Sequence, residues 1–139
     1  MNVLVDTCVW SLALRRRAEH RSSQETMVVG ALNAAIEKGR VELLGIVRQE
    51  VLSGIKTKQQ FESLRETLGA FPDAEIVPGD HIVAAESGNA CRAKGIATDV
   101  VDMLLCAVAT RQGWEIFSTD PDFERYSKIL GIRLFALER

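Results

Sequence analysis

Two aspartates of this 139-residue chain lie among apolar neighbours, where a charged side chain is unusual. Asp6 lies between Val-Leu-Val and Thr-Cys-Val-Trp, and Asp102 lies between Val-Val and Met-Leu-Leu. We expect both carboxylates to be partly buried, and burial of an ionised group costs free energy unless hydrogen bonds, a cation or protonation offsets it. Mg²⁺ and Mn²⁺ are hard cations that prefer oxygen ligands, so they would relieve the repulsion if several such carboxylates converged.

Three more acidic residues are expected near the same place. Glu50 lies about one turn into a helix that follows the second predicted strand, while Asp120 and Asp122 follow the strand predicted at residues 115–118. Ligand sites in open α/β sheets lie beyond the carboxyl ends of the strands, which is where Asp6 and Asp120 fall. Each acid also has a structural alternative, as a helix cap, a turn residue or a solvated side chain.

Short apolar segments alternate with helical patterns along the chain. Strands are predicted at residues 2–5, 41–46, 75–77, 115–118 and 133–135. Helices are predicted at residues 9–14, 23–38, 47–55, 57–70, 80–94, 99–112 and 121–128. This alternation is typical of a parallel sheet with helices on both faces. We therefore predict one α/β domain over residues 1–139, with a short, mostly parallel central sheet of about five strands.

Several predicted helices begin and end at residues that favour helix ends. The expected N-caps are Ser22 (in a capping box with Glu25), Thr57, Asp80, and either Thr98 or Asp99. Glycine is expected to end three helices, at Gly39, Gly95 and Gly113. A cap at Thr98 or Asp99 would place Asp102 in the first turn of its helix.

The composition excludes several classes of protein. Apolar residues make up 47% of the chain and charged residues 26%, which is typical of a globular domain and not of a disordered chain. The longest uncharged run, residues 26–36, is too short for a membrane span, and the N-terminus lacks a signal-peptide pattern. Cys8, Cys91 and Cys106 are scattered, which fits buried free thiols in a reducing cytoplasm.

The charges are unevenly distributed. The chain has 17 basic and 19 acidic residues, for a net charge of −2. Residues 1–69 carry 10 basic and 8 acidic side chains, whereas residues 70–139 carry 7 and 11. The overall basic field typical of nucleic-acid binding is absent, so the positions of individual charges matter more than their sum.

Four acidic motifs occur in a characteristic order: Leu4-Val5-Asp6-Thr7-Cys8-Val9-Trp10, Gln49-Glu50-Val51-Leu52-Ser53-Gly54, Asp102-Met103-Leu104-Leu105-Cys106-Ala107-Val108-Ala109, and Ser118-Thr119-Asp120-Pro121-Asp122-Phe123. In this order they resemble the PIN-domain ribonucleases, and in particular the VapC-type toxins of bacterial toxin–antitoxin pairs. The resemblance spans nearly the whole chain. Two positions depart from that family's usual pattern, because Cys8 stands where Asn or Ser is common and Ser118 stands where Thr is usual.

The resemblance implies a three-layer PIN-like fold and a divalent-metal-dependent endoribonuclease. The residues implied to hold one or two Mg²⁺, with Mn²⁺ as a possible substitute, are Asp6, Glu50, Asp102 and Asp120, with Asp122 more variable in its role. A metal-activated water would attack the phosphodiester and leave 5′-phosphate and 3′-hydroxyl ends. The hydroxyls of Thr7 and Ser118 would orient the metal ligands.

The resemblance also implies several partners for the chain. They are an RNA substrate, a small antitoxin protein and a second copy in a homodimer, in the cytoplasm, with inhibition of translation and growth as the outcome. Contact with RNA or antitoxin would need positive charge near the acidic site. The candidates are Arg15, Arg16, Arg17 and Arg48, together with Arg21, Lys56 and Lys58. Trp10 would either stack on a base or pack in the core or at a subunit interface.

Two other functions compete with this hypothesis. A PIN-like scaffold that binds RNA or protein without cutting is expected where an acid is missing, whereas all four principal acids are present here. A haloacid-dehalogenase-like phosphatase also has an Asp after its first strand, but it requires a second Asp two residues later. That position holds Cys8, which argues against a phosphatase.

Overall fold

Short segments of the chain form a small parallel sheet. The computed structural model describes residues 1–137, and its four strands are β1 (Val3–Val5), β2 (Val41–Glu42), β3 (Glu115–Phe117) and β4 (Arg133–Leu134). The strands lie in the order β2-β1-β3-β4, and all three pairs of neighbours are parallel. This arrangement confirms the predicted α/β class with a parallel sheet.

The register of the sheet brings two chain segments to one edge. Val3 is paired with both Val41 and Glu115, and Val5 is paired with Phe117. Strands β1 and β3 therefore end side by side, and the residues that follow them meet at the carboxyl edge of the sheet. All three residues of β1 have no exposed surface, so both faces of this central strand are covered.

Seven helices flank the sheet in the described part of the chain. They are α1 (Thr7–Leu14), α2 (Ser23–Glu37), α3 (Gly45–Leu52), α4 (Lys58–Leu68), α5 (Pro78–Ala93), α6 (Val100–Gln112) and α7 (Asp122–Ser127), with a short 3₁₀ helix at Ala18–His20. Helix α1 packs against α2 and α3, and α5 packs along α6. No helix within residues 1–137 is long and apolar enough to cross a membrane.

Most of the predicted helix ends are confirmed. Ser22 and Glu25 form the capping box of α2, and Thr57 caps α4 through its side chain. Asp99, and not Thr98, caps α6, because its carboxylate accepts hydrogen bonds from the backbone N–H groups of Val101 and Asp102. Helix α6 therefore starts at Val100, which places Asp102 in its first turn.

The predicted strand at residues 75–77 is wrong. The sheet has four strands in the described residues and not about five, because this segment forms no ladder, although Leu43 makes an isolated bridge to Asp73. The strand predicted at residues 41–46 is also shorter, since the chain turns into α3 at Gly45. The fold class is unaffected because the missing strand lies outside the central β1–β3 pair.

Asp80 was predicted to cap a helix, and this prediction is also wrong. Helix α5 begins at Pro78 with Val77 as its N-cap, so Asp80 lies inside the first turn. Pro78 is suited to the first helical position because its fixed φ is helical. A backbone N–H at that position would have no partner within the helix, so proline loses no hydrogen bond there. The carboxylate of Asp80 instead accepts hydrogen bonds from the backbone of Val77 and from Arg111.

Candidate active site

Asp6 lies where β1 ends and α1 begins. Its Oδ1 accepts a 2.8 Å hydrogen bond from the backbone N–H of Thr7, which caps α1. Its Oδ2 accepts bonds from the Ser118 hydroxyl at 2.8 Å and from the Cys8 thiol at 3.5 Å. With 7% of its surface exposed, Asp6 is a buried acid at the carboxyl edge of the sheet. The predicted role as a cap and the predicted place at the site therefore coexist.

Asp102 lies in the first turn of α6 and is partly buried. Its Oδ2 accepts a 3.1 Å hydrogen bond from the phenol of Tyr126. Burial, together with the negative charge of Asp6, raises the pKa of Asp102 to about 7, and the charges of Asp99 and Asp120 act in the same direction. This electrostatic influence indicates that Asp6, Asp102 and Asp120 face one region of the protein.

Glu50 joins this region through Thr7. The Thr7 hydroxyl, in the first turn of α1, donates a 2.7 Å hydrogen bond to Oε1 of Glu50 on α3. These residues are 43 positions apart in sequence, and the packing of α1 against α3 brings them together. Glu50 is exposed, so its second carboxylate oxygen is open to solvent or a ligand.

Asp120 and Asp122 belong to the turn between β3 and α7. The backbone N–H of Asp120 donates to the Ser118 hydroxyl at 3.0 Å, and Oδ1 of Asp120 accepts from the N–H of Asp122 at 2.9 Å. Asp122 forms an ion pair with Arg125 one turn later in α7. Asp120 is thus tied to the same hydroxyl as Asp6, whereas the charge of Asp122 is already balanced locally.

The donor set suits a hard divalent cation. Its oxygens are carboxylate oxygens at a partly buried edge, and hard cations prefer such oxygen ligands. The negative charges of Asp6 and Asp120 contribute to the raised pKa of Asp102. Across residues 1–137, however, no three Asp, Glu, His or Cys side chains are arranged closely enough to enclose a metal ion. Each of the four carboxylates accepts a hydrogen bond from the chain, which holds it near the others without forming a closed cage.

The predicted arginine contacts lie in two different environments. Arg15, Arg16 and Arg17 are exposed just after α1. Arg48, by contrast, donates hydrogen bonds to Asp73 and to the backbone carbonyls of Leu68 and Phe71. Its guanidinium therefore holds the end of α4 and the segment that follows, and this internal role competes with the predicted RNA or antitoxin contact.

Tyr126 and Cys8 differ from expectation, whereas Trp10 follows one of its two predicted roles. Tyr126 on α7 was not predicted at all, although it is the only tyrosine in the chain and follows the fourth motif by one helical turn. Cys8 is partly exposed and hydrogen-bonded to the site, not simply buried, while Cys91 and Cys106 are buried as predicted. Trp10 has 1% of its surface exposed and packs edge-on against Phe71 at 5.2 Å, which excludes base stacking.

A parallel sheet with acids from β1, α3, α6 and the turn after β3 at one edge is the arrangement expected of a PIN domain. The sequence model of the PIN domain family matches residues 3–129. The chain belongs to the PIN domain family. No curated protein matches the sequence significantly.

Several solved structures share the fold. The VapBC2 structure from Rickettsia felis, bound to a DNA fragment from its promoter, matches with a TM-score of 0.74 and 16% identity, covering 97% of this chain and 98% of that chain. The FitAcB structure from Neisseria gonorrhoeae matches with a TM-score of 0.69 and 18% identity, covering 96% of each chain. A toxin–antitoxin complex from Klebsiella pneumoniae matches with a TM-score of 0.61 and 21% identity, covering 88% and 90%.

Proposed function

We propose that the chain is a divalent-metal-dependent endoribonuclease whose acids are Asp6, Glu50, Asp102 and Asp120. The observation that carries this proposal is the Ser118 hydroxyl, which donates to the Asp6 carboxylate at 2.8 Å and accepts from the Asp120 backbone at 3.0 Å. A single side chain thus joins the acids that follow β1 and β3. Membership of the PIN family, whose members are generally metal-dependent nucleases, supports the same chemistry.

The four acids would hold Mg²⁺, or Mn²⁺ in its place. The bound cation would supply a Lewis acid that lowers the pKa of a water molecule and offsets charge on the phosphate. The side chains of the protein would orient these acids. Thr7 orients Glu50, Ser118 orients Asp6, and Tyr126 orients Asp102, so three neutral hydroxyls fix the directions in which the carboxylates point. Asp122 is a less direct participant because it pairs with Arg125.

The RNA substrate needs no covalent protein intermediate under this proposal. Hydrolysis by water would leave a 5′-phosphate on one fragment and a 3′-hydroxyl on the other. A map of cut ends in total RNA would identify both the products and the preferred RNA.

The cleavage test compares three variants with the wild-type chain. RNA is incubated in Mg²⁺ or Mn²⁺ with wild type, Asp6→Asn, Asp102→Asn and the control Glu66→Gln, which removes a carboxylate from the exposed surface of α4. We expect cleavage by wild type and by the control, and a loss of at least about 100-fold in both aspartate variants. Full activity in either aspartate variant would overturn the proposal.

We also propose that the nuclease is the toxin of a toxin–antitoxin pair, acting as a homodimer on cytoplasmic RNA to inhibit translation and growth. The support is the fold shared with VapBC2, FitAcB and the Klebsiella pneumoniae complex. Expression of the wild-type chain should arrest growth, co-expression of a cognate small antitoxin should restore it, and Asp102→Asn should be harmless. Equal tolerance of wild type and variant would contradict the toxin role.

The alternative function is a PIN-like scaffold that binds RNA or protein without cutting. It would be favoured if the wild-type chain cleaved nothing in a broad RNA panel and bound no Mg²⁺ or Mn²⁺ by calorimetry. The presence of all four acids, each held by a hydrogen bond, favours the nuclease.

A further inference from the structure

A basic cavity of about 850 Å³ opens beside the acidic edge of the sheet. We call it the basic pocket, and the residues of its wall that matter here are Arg15, Arg16, Arg17, His20, Cys8 and Thr119. The three arginines come from the segment that links α1 to the 3₁₀ helix, whereas Cys8 lies in the first turn of α1 and Thr119 lies in the turn after β3. The pocket therefore combines a dense positive charge with a boundary that belongs to the candidate active site.

Two contacts make that boundary continuous with the acids. The Cys8 thiol is 3.5 Å from Oδ2 of Asp6, and the backbone N–H of Thr119 donates to the Cys8 sulfur at 3.4 Å. Thr119 also immediately precedes Asp120 in the chain. A molecule that extends from the carboxylates of Asp6 and Asp120 across Cys8 and Thr119 would therefore enter the basic pocket directly.

The arginines of this segment have different tasks. Arg16 pairs with Glu25 at 2.7 Å, so its charge is balanced by the wall of the pocket. Arg17 has only a loose contact of 3.9 Å with Glu19, and its side chain is 78% exposed. Within residues 1–137, Arg15 has no ion pair that satisfies the usual 4 Å distance. Arg15 and Arg17 are thus the cations whose charge is available to a ligand.

Arg21 explains why the segment keeps its shape despite this charge. Its guanidinium donates hydrogen bonds of 3.0 Å to the carbonyls of Leu12 and Ala13 at the end of α1, and one of 3.1 Å to the carbonyl of Arg16. These bonds satisfy the helix-terminal acceptors and fold the following turn back against α1. The positions of Arg15 and Arg17 are therefore set by the backbone before any ligand binds.

We propose that the basic pocket is a phosphate subsite for single-stranded RNA, in which Arg15 and Arg17 bind a backbone phosphate next to the phosphodiester at the acids. This inference rests on the proposed function for its substrate. Proteins that bind single strands hold the nucleic-acid backbone in a positively charged groove. The shared boundary at Cys8 and Thr119 makes the basic pocket continuous with the acids. An acidic protein segment is the competing occupant. It would bind in the basic pocket without contacting the carboxylates of the candidate active site.

The test measures RNA binding without cleavage. A fluorescent single-stranded RNA of about twelve nucleotides is titrated in EDTA, by anisotropy, at several salt concentrations. The variant is Arg15→Gln/Arg17→Gln, and the control is Arg65→Gln/Lys94→Gln, which removes one exposed charge from α4 and one just after α5. All four positions are exposed, so both double variants should fold as wild type does, which circular dichroism verifies.

We expect the pocket variant to bind RNA at least about 10-fold more weakly at low salt. Its slope of log K against log salt should be smaller in magnitude by about 0.7, since one phosphate contact on a single strand contributes about 0.7. The control should stay within about twofold of wild type. Absence of RNA binding by wild type, an unchanged slope in the pocket variant, or an equal loss in the control would overturn the subsite.

Cleavage assays separate this inference from the proposed function. If the pocket variant cleaves RNA with the wild-type KM, the nuclease stands and the subsite is wrong. If RNA binding depends on Arg15 and Arg17 but no RNA is cut in Mg²⁺ or Mn²⁺, the subsite stands and the nuclease is wrong. If an acidic peptide such as poly-glutamate binds with the same dependence and RNA does not, the pocket is a protein-binding site instead.

Discussion

The phenol of Tyr126 donates a 3.1 Å hydrogen bond to Oδ2 of Asp102, which joins α7 to the first turn of α6. Tyr126 is 1% exposed, and its ring packs edge-on against Phe123 at 5.3 Å. A buried tyrosine hydroxyl needs a hydrogen-bond partner. Here the partner is Asp102, the acid of the site whose pKa is raised to about 7. Tyr126 is therefore a positioning residue for Asp102.

Replacement of Tyr126 by Phe should keep the ring packing and remove only this hydrogen bond. We expect RNA cleavage to fall about 10-fold, with a higher Mg²⁺ concentration needed for half-maximal activity and the KM for RNA unchanged, because the Asp102 carboxylate loses its orientation. Steady-state kinetics at varied Mg²⁺ measures both effects. An unchanged Mg²⁺ requirement would show that the tyrosine has only a structural role.

Replacement of Asp102 by Asn should stabilise the metal-free protein at neutral and alkaline pH. The folded-state pKa of Asp102 is raised to about 7, so the wild-type free energy of unfolding falls as pH rises from about 4 through 7. The asparagine side chain does not ionise, so the free energy of unfolding of the variant should not fall over this pH range. The variant should be more stable than wild type by roughly 1–2 kcal/mol at pH 8, a value reduced for the partial exposure of Asp102. Urea unfolding in EDTA at pH 5 and pH 8 tests this, and a variant less stable than wild type at pH 8 would refute it.

Replacement of Thr7 by Val should release Glu50 without changing the shape of the turn. Since the 2.7 Å bond from the Thr7 hydroxyl holds Oε1 of Glu50, we expect activity to fall about 10-fold in Thr7→Val. Thr7→Ser keeps the hydroxyl and should retain near-wild-type activity. Equal activities of the Val and Ser variants would mean that this hydrogen bond does not orient Glu50.

Replacement of Asp80 by Asn should destabilise the fold without altering the site. The Asp80 side chain is 3% exposed and pairs with Arg111 at 2.8 Å, and Arg111 holds the pKa of Asp80 below its usual range. The lowered folded-state pKa means that this contribution is present above about pH 4 and is lost as pH falls further. We expect a loss of about 3 kcal/mol at pH 7 and a smaller difference near pH 3.

The matched control for Asp80→Asn is Glu62→Gln, which breaks the exposed pair between Glu62 and Arg65 on α4. Exposed pairs contribute little, so the control should lose less than about 0.5 kcal/mol. Chemical denaturation across pH measures both variants. A pH-independent loss in Asp80→Asn would show that packing, and not the ion pair, accounts for its effect.

The sequence predicted the α/β class and the sheet edge where the acids lie because those features follow from local patterns. Asp6 and Asp120 directly follow strand-like segments, and Asp99 is a recognisable N-cap that fixes the start of α6. Tyr126 could not be predicted, since its contact with Asp102 depends on how α7 packs against α6 across 24 positions of sequence. The extra strand at residues 75–77 failed because apolar alternation cannot show whether a neighbouring strand is within reach.

The contacts of Arg48 also could not be predicted from the sequence. Its position beside the second acidic motif suggested an outward contact, whereas the structure turns its guanidinium toward Asp73 and two backbone carbonyls. Leu68 and Phe71 lie 20 and 23 positions from Arg48 in the sequence, so local patterns could not predict that their carbonyls accept its hydrogen bonds. Arg15 and Arg17 differ because Arg21 caps α1 and leaves them at the surface.

The central claim is that the carboxylates of this PIN domain cut RNA only when they hold a divalent cation. The most direct measurement follows RNA cleavage by one preparation of the wild-type chain in Mg²⁺, after EDTA, and after Mg²⁺ is restored in excess. We expect RNA cleavage in Mg²⁺, complete loss of cleavage after EDTA, and recovery of cleavage when Mg²⁺ is restored, with 5′-phosphate ends on the products. Cleavage that continues in EDTA would contradict it.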